Sequence, residues 1–122
     1  TCSCVHCSVR FYQEQGNMNL YHLIIYVPVT HTDTLRTAIA DAGGGKLGNY
    51  DNCSFSSSCI GRFRTLNGAS PYIGSEGTIE EVEEERIEVV VEEAHLKDVL
   101  EAARKAHPYE EPAIQYWKVL AG

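Results

Sequence analysis

An internal repeat constrains the fold of this chain more than any other feature. A strand-like segment followed by a helix-like segment occurs twice, and a shift of 64 positions superimposes the two copies. In each copy, alternating or continuous β-branched residues lead into apolar positions spaced i, i+3, i+4 and i+7, which is the spacing of one helix face. The aligned pairs include Ile25 with Val89, Val27 with Val91, His31 with His95, Leu35 with Val99, and Ala38 with Ala102.

The first copy begins with the apolar run at residues 20–29, which is typical of a strand buried on both faces. Residues 30–33 predict a helix start with a threonine cap and an acidic side chain in the first turn. The glycines at 43–45 predict its end, because glycine readily adopts the left-handed conformation of a helix terminus.

Between the copies, residues 46–66 predict a hairpin with its tip at 56–58, and residues 67–77 predict an ordered loop. The second copy supplies a strand, and its helix ends at Pro108 because proline cannot continue a helix. Residues 113–120 predict the last strand. The resulting βαββαβ order predicts an α+β ferredoxin-like domain: an antiparallel sheet, two helices on one face, and a β-hairpin extension.

Length and charge exclude several classes of protein. The 122 residues suffice for one domain, and the net charge of −7 argues against nucleic acid as a partner. The longest apolar stretch is far shorter than the roughly 20 residues of a membrane helix, so no membrane association is expected. An odd count of five cysteines is a poor disulfide framework and favours a reducing, cytoplasmic location.

Residues 1–17 differ in character from the rest. They contain Cys2, Cys4, His6 and Cys7, which are side chains that bind soft metals, but no second ligand pair follows. Two interpretations stay open, a metal-chelating segment and a non-native leader without function. We assign 1–17 as a leader and 18–122 as the single domain.

The strand directions of the predicted topology decide which polar residues meet. His31 follows the first strand and His107 ends the second helix, so both lie at the same end of the sheet. Glu110 and Glu111 open the last strand at that end, whereas His95 lies at the opposite end. The prediction is therefore a shared site of His31, His107, Glu110 and Glu111.

Several spaced motifs resemble the YqfO-type domain that is inserted in many Nif-three-like (NGG-interacting factor) proteins. They are Gly48-Asn49-Tyr50, Cys53-Ser54-Phe55-Ser56, Gly61-Arg62-Phe63, Gly68-Ala69-Ser70-Pro71-Tyr72-Ile73-Gly74, Val82-Glu83 with Arg86-Ile87-Glu88, and His107-Pro108-Tyr109-Glu110-Glu111-Pro112-Ala113. The resemblance extends over about residues 20–120. It implies a fold of the PII and CutA kind and a homotrimer. The metal-binding halves of the full-length family are absent from this sequence, so their hydrolase-like activity is not expected here.

Candidate ligand-binding residues lie in two of these motifs: His107, Tyr109, Glu110 and Glu111 in one, and Cys53 and Ser54 in the other. Imidazole with carboxylates suits zinc or a similar divalent metal, so His31, His107, Glu110 and Glu111 are the candidate metal ligands. The alternative is a structural turn in which the histidine caps the helix and the acids accept hydrogen bonds. A third interpretation is recognition of a small ligand.

Three further features admit simpler explanations. Cys53 and Cys59 can form a disulfide, a metal pair or two free thiols, and free thiols suit a reducing compartment. The glycines at 43–45 precede Lys46 but follow a helix and lack the Walker spacing, so they do not predict a phosphate loop. The glutamates at 80–85 predict a solvated edge ahead of a strand.

The sequence therefore predicts a regulatory or sensing module without a catalytic residue, which binds a divalent metal or a small ligand. Two alternatives stay open. One is a metal-dependent hydrolase-like enzyme, and the other is a structural or protein-interaction module.

Overall fold

The computed structural model describes residues 19–69 and 71–122. Its elements follow in the order β1 (Leu20–Pro28), a 3-10 turn (Val29–His31), α1 (Thr32–Asp41), β2 (Phe55–Arg64), β3 (Ile79–Glu92), α2 (Glu93–Ala106) and β4 (Ile114–Val119). The predicted βαββαβ order is thus confirmed.

The four strands form one antiparallel sheet in the order β2-β3-β1-β4. β1 lies inside the sheet, with Ile25 opposite Ile87 on β3 and Ile114 on β4. Leu23, Ile25 and Val27 face the helices and have no exposed surface. On the other face Ile24 is buried but His22 and Tyr26 are only half-buried, so the predicted burial on both faces holds in part. β2 and β4 are the edges.

The core lies between the helices and one face of the sheet. Leu23, Ile25 and Ile87 have no exposed surface on the sheet side, and Leu35 and Val99 have none on the helix side. The helical residues come from the i, i+3, i+4 stripes identified in the sequence. The repeat therefore supplies two equivalent strand–helix layers to a single core.

The ends of α1 differ in how well the sequence predicts them. The glycines after α1 do end it, with Gly43 at φ 110° and the Gly44 amide bonded to the Ile39 carbonyl. The predicted threonine cap is wrong. His31 occupies the cap position without a side-chain hydrogen bond, and the Thr32 hydroxyl is buried without a partner among the described residues.

The predicted hairpin within residues 46–66 is also wrong. Leu47 and Tyr50 form a tight turn of their own, and residues 56–58 lie inside the strand β2. β2 pairs along its whole length with β3, from Phe55 opposite Glu88 to Arg64 opposite Ile79. The serines resemble a turn in sequence, but they satisfy the sheet alternation and β3 supplies the partner.

β3 extends past the end of β1, since Pro28 pairs with Glu84 and the residues before Glu84 pair with β2 alone. A two-stranded ribbon of β2 and β3 therefore projects from the sheet, in place of the hairpin that the sequence predicted within residues 46–66. The glutamates at 80–85 belong to this strand and do not precede it. One of them, Glu84, is buried with 6% of its surface exposed, so the prediction of a fully solvated run is corrected.

Among residues 19–69 and 71–122, no helix has the length and apolarity needed to cross a membrane. The proposed leader at 1–17 and its candidate metal ligands Cys2, Cys4, His6 and Cys7 lie outside the described residues.

Candidate functional site

A cavity of about 380 Å³ lies where the projecting ribbon meets the end of the sheet. β2 forms one wall with residues 61–64, and the following loop forms a second wall. The turn after α2 closes a third side with Tyr109, Glu110 and Glu111, and Glu84 lines the cavity from β3. Tyr26 of β1 also lines the cavity, so polar and aromatic groups from five parts of the chain converge at one place.

His107 holds the turn after α2 against β1. It is buried, and its Nε2 donates a hydrogen bond to the Tyr26 carbonyl at 2.6 Å. The Tyr109 amide donates to its Nδ1 at 3.2 Å. These bonds assign the neutral form with the proton on Nε2. Burial lowers the pKa of His107, an effect that the neighbouring His31 reinforces and that the bond to Tyr26 and the charge of Glu84 oppose.

Tyr109 connects this turn to β3. Its hydroxyl donates to Glu84 Oε2 at 2.7 Å, and its ring lies 4.9 Å from the His107 ring, centroid to centroid. Burial, followed by the hydrogen bond to Glu84, raises the pKa of the Tyr109 phenol above its usual range. The phenol therefore remains a protonated donor over the physiological pH range.

Gly61 makes room for the Glu84 carboxylate. A Cβ at position 61 would lie within 2.5 Å of the Glu84 carboxyl carbon and closer still to its Oε1. Because position 61 has no side chain, the Glu84 carboxylate comes close to the β2 backbone, and both residues line the cavity. Glycine is therefore required here for close approach and not for its backbone conformation.

Aromatic rings surround Tyr109. The Phe63 ring centroid lies 6.1 Å from that of Tyr109, and the Tyr72 centroid lies 6.2 Å from it, each at an interplanar angle of 57°. His31 makes an edge contact with the other side of Tyr72 at 5.8 Å. The rings thus form a continuous chain from the start of α1 to the ribbon.

The residues predicted for the site separate into a group at this cavity and a group at a second cavity. Tyr109, Glu110 and Glu111 line the cavity, and His107 lies behind Tyr109. His31 lies at the same end of the sheet and reaches the cavity wall through Tyr72. His95 lies away from this group and packs beside Gly43, which follows the C-terminal end of α1.

Cys53 and Ser54 lie elsewhere. They line a second cavity of about 190 Å³ between α1 and the start of β2, which shares no lining residue with the first. Cys53 and Cys59 are both free thiols. Burial, with a contribution from Glu84, raises the pKa of Cys59, so this thiol is not activated as a nucleophile.

The four predicted metal ligands do not form a metal site as placed. Among residues 19–69 and 71–122, no three His, Cys, Asp or Glu side chains come together in a group that could hold a metal ion. Both ring nitrogens of His107 already make hydrogen bonds. Metal binding by His107 would require one of these bonds to break, so the residues present fit a metal ion poorly.

Sequence reasoning did not single out Glu84, Gly61, Phe63 or Tyr72 as site residues. Gly61, Phe63 and Tyr72 lie within motifs that carried the family resemblance, so the sequence did contain a signal for them. Glu84 gave a weaker signal. Ile87, Val89 and Val91 alternate along one face of β3, so Glu84 lies on the other face. No residue near position 84 in the sequence indicates that another part of the chain covers that face there.

Segments of several longer proteins are similar to this chain in sequence and in structure. The chain is 47% identical over 95 residues to a protein of Halalkalibacterium halodurans named GTP cyclohydrolase 1 type 2 homolog, which corresponds to 78% of this chain and 26% of the relative. A Bacillus cereus protein related to NIF3 has a matching structure, with a TM-score of 0.73 and 37% identity over 84% of this chain and 26% of that one. The chain is similar to one segment of these longer proteins, which confirms the resemblance to the YqfO-type domain of NIF3-related proteins. It spans about a quarter of the length of the curated relatives that it matches. No protein-family model matches the chain.

Smaller proteins share the fold over most of their own length. CutA from Synechococcus elongatus has a TM-score of 0.60 at 14% identity, covering 84% of this chain and 79% of CutA. Bacillus subtilis GlnK has a TM-score of 0.57 at 13% identity, covering 83% and 82%. These matches establish the PII- and CutA-like ferredoxin fold of this chain. At such identities they carry no information about its ligand.

Proposed function

We propose that this YqfO-type segment is a non-enzymatic regulatory module that binds a small ligand in the cavity between the ribbon and the turn after α2. One observation carries the proposal: the cavity of about 380 Å³ combines aromatic walls with a buried carboxylate. This combination is typical of small-molecule sites, where a few placed polar groups orient a ligand among apolar surfaces.

His107 has a positioning role in this proposal. Its two hydrogen bonds fix the turn, and the turn presents the Tyr109 hydroxyl to Glu84. The geometry therefore favours the structural interpretation of His107 over direct ligation. Tyr109, Glu110 and Glu111 are proposed to contact the ligand, whereas Cys53 and Ser54 are not.

The metal-dependent interpretations have less support. Divalent-metal binding and the hydrolase-like activity that depends on it both stay predictions, because the described histidines and carboxylates form no open coordination site. Native mass spectrometry before and after chelation tests both. A stoichiometric metal lost on chelation would replace the small-ligand proposal with a metal-binding one.

We also propose that the module self-associates as a homotrimer in a reducing, cytoplasmic compartment. The projecting ribbon supports the first part, because a two-stranded ribbon is marginally stable by itself and this one exposes Ile60 and Ile79. The two free thiols fit the second part.

A thermal-shift screen of a library of cationic, anionic and neutral metabolites tests the small-ligand proposal. A compound that binds in the cavity raises the Tm of the wild type, and Tyr72→Ala abolishes the shift by removing one wall. Tyr50→Ala is the matched control, because Tyr50 is 74% exposed and lies outside the cavity. If no compound gives a shift that Tyr72→Ala removes and Tyr50→Ala retains, the proposal is wrong.

A further inference from the structure

One carboxylate oxygen in the cavity has no hydrogen-bond donor among the described residues. Glu84 is 94% buried, and its only hydrogen bond there uses Oε2 to accept from Tyr109. Its Oε1 lies over Gly61, which also lines the cavity. Oε1 is not among the fully buried atoms without a partner in the described residues, so it keeps accessible surface and can accept a hydrogen bond from a group that enters the cavity. Glu84 therefore indicates the polarity of the group that the cavity accepts.

The rings around this carboxylate favour the same polarity. The ring centroids of Phe63 and Tyr72 lie 6.1 Å and 6.2 Å from that of Tyr109, and all three rings line the cavity. The face of an aromatic ring carries partial negative charge and attracts a cation within about 6 Å. Aromatic faces and a carboxylate together suit a cationic group attached to an apolar body.

The arginines of the cavity wall do not cancel this field. Arg62 forms an ion pair with Glu81, and both side chains are about two-thirds exposed. Arg62 and Arg64 line the cavity as well, but both side chains are exposed, so solvent and salt screen their charges. Glu84 is the buried charge of the cavity, and the exposed Glu110 and Glu111 add two carboxylates to its lining.

We infer that the cavity recognises an organic cation that carries N–H donors, a primary ammonium or guanidinium group on an apolar body. This inference rests on the proposed ligand-binding function and names its ligand class. Glu84 Oε1 accepts a hydrogen bond from the cationic group, and the rings of Phe63, Tyr72 and Tyr109 contact the body. The net charge of −7 adds a long-range attraction for the same class.

Three probes of nearly equal size and different charge test the inference. They are 2-phenylethylammonium, 2-phenylethanol and phenylacetate, each titrated into the full chain by calorimetry at two salt concentrations. We expect the ammonium probe to bind, and the neutral and anionic probes to bind at least about tenfold more weakly, because a charge-assisted hydrogen bond contributes about 1.5–3 kcal/mol.

Glu84→Gln provides the decisive variant. It keeps the side-chain shape and an acceptor for the Tyr109 hydroxyl but removes the charge, so we expect about 10- to 100-fold weaker binding of the ammonium probe. Glu83→Gln is the matched control. Glu83 is the neighbouring residue, is exposed, pairs with Ile60 on β2, and lies on the face of the ribbon that Glu84 does not share. It removes the same charge and should retain the affinity of the wild type.

Each other outcome overturns the inference. Equal binding of all three probes shows that the cavity selects for shape and not for charge. A similar loss in both glutamine variants shows that only the overall field acts. Absence of ammonium binding overturns the cation class, while the proposed function then stands or falls on the library screen, in which anionic and neutral compounds remain as ligands.

Discussion

At the scale of single residues, the most constrained position is Gly61. Its missing side chain leaves the space that Glu84 occupies, and Glu84 in turn accepts the Tyr109 hydroxyl. Two strands and the turn after α2 therefore depend on one glycine. His107 completes this arrangement by holding the same turn to the Tyr26 carbonyl.

Gly61→Ala is expected to destabilise the protein by about 1–3 kcal/mol, because the added methyl group displaces a buried carboxylate from its donor. Urea unfolding measures the change. The control is the same substitution in a Glu84→Ala background, where the space is free and the cost should largely disappear. An equal cost in both backgrounds would show that the methyl group meets something other than Glu84.

The protein is expected to lose stability as the pH falls below about 6.5. Because burial lowers the pKa of His107 in the folded state, the unfolded chain takes up a proton first, at the ordinary histidine pKa of 6.5. Between that pH and the lower folded pKa, the free energy of unfolding decreases by at most about 1.4 kcal/mol per pH unit from this group.

Urea unfolding at several pH values between 5 and 7.5 measures this dependence in the wild type and in His107→Gln. The variant has no imidazole at this position, so its stability should be lower at pH 7 but should vary less with pH. An identical pH slope in the two proteins would contradict the assignment to His107.

At the scale of elements, local periodicity and pairing contribute differently. β1, α1 and α2 follow from patterns within each segment: an apolar run, two apolar stripes, and stops at Gly43 and Pro108. β2 does not, because its serine-rich centre resembles a turn when considered by itself. Its extended conformation depends on pairing with β3, whose partner residues lie 15 to 33 positions farther along the chain, from Arg64 with Ile79 to Phe55 with Glu88.

α1 is expected to depend on packing against the sheet and α2. Leu35 has no exposed surface, so Leu35→Ala should reduce the free energy of unfolding by about 2–5 kcal/mol through lost burial and a cavity. The exposed neighbour Thr34 provides the control, and Thr34→Ala should change stability by less than about 0.5 kcal/mol. Equal effects in chemical unfolding would show that this face of α1 is not its packed face.

At the scale of the whole molecule, apolar side chains remain on the ribbon and along the sheet. Phe55 and Ile60 are each 67% exposed on the edge strand β2, and Trp117 is 47% exposed on the edge strand β4. Exposed apolar groups beside open strand edges favour association. Copies of this chain can cover them, as the proposed trimer requires.

Native mass spectrometry is expected to give three times the chain mass for the wild type. Ile60→Lys places a charge on the exposed ribbon and should shift the mass toward the monomer without lowering the stability of the fold. Leu47→Lys is the control, because Leu47 is 57% exposed in a separate turn. A monomeric wild type, or a trimer that both variants retain, would contradict the proposed role of the ribbon.

The sequence by itself determined the βαββαβ order, the helix faces, and the end of the sheet where His31, His107, Glu110 and Glu111 lie. Periodicity and chain direction can be obtained from each segment alone. Once the strands are arranged as an antiparallel sheet, they decide which residues lie at the same end of that sheet. Only the tertiary structure decided that His107 is fully hydrogen-bonded, that Cys53 and Ser54 belong to another cavity, and that Glu84 is buried. Burial and hydrogen-bond partners depend on residues distant in sequence: Glu84 meets Gly61 and Tyr109, and no pattern around position 84 specifies either.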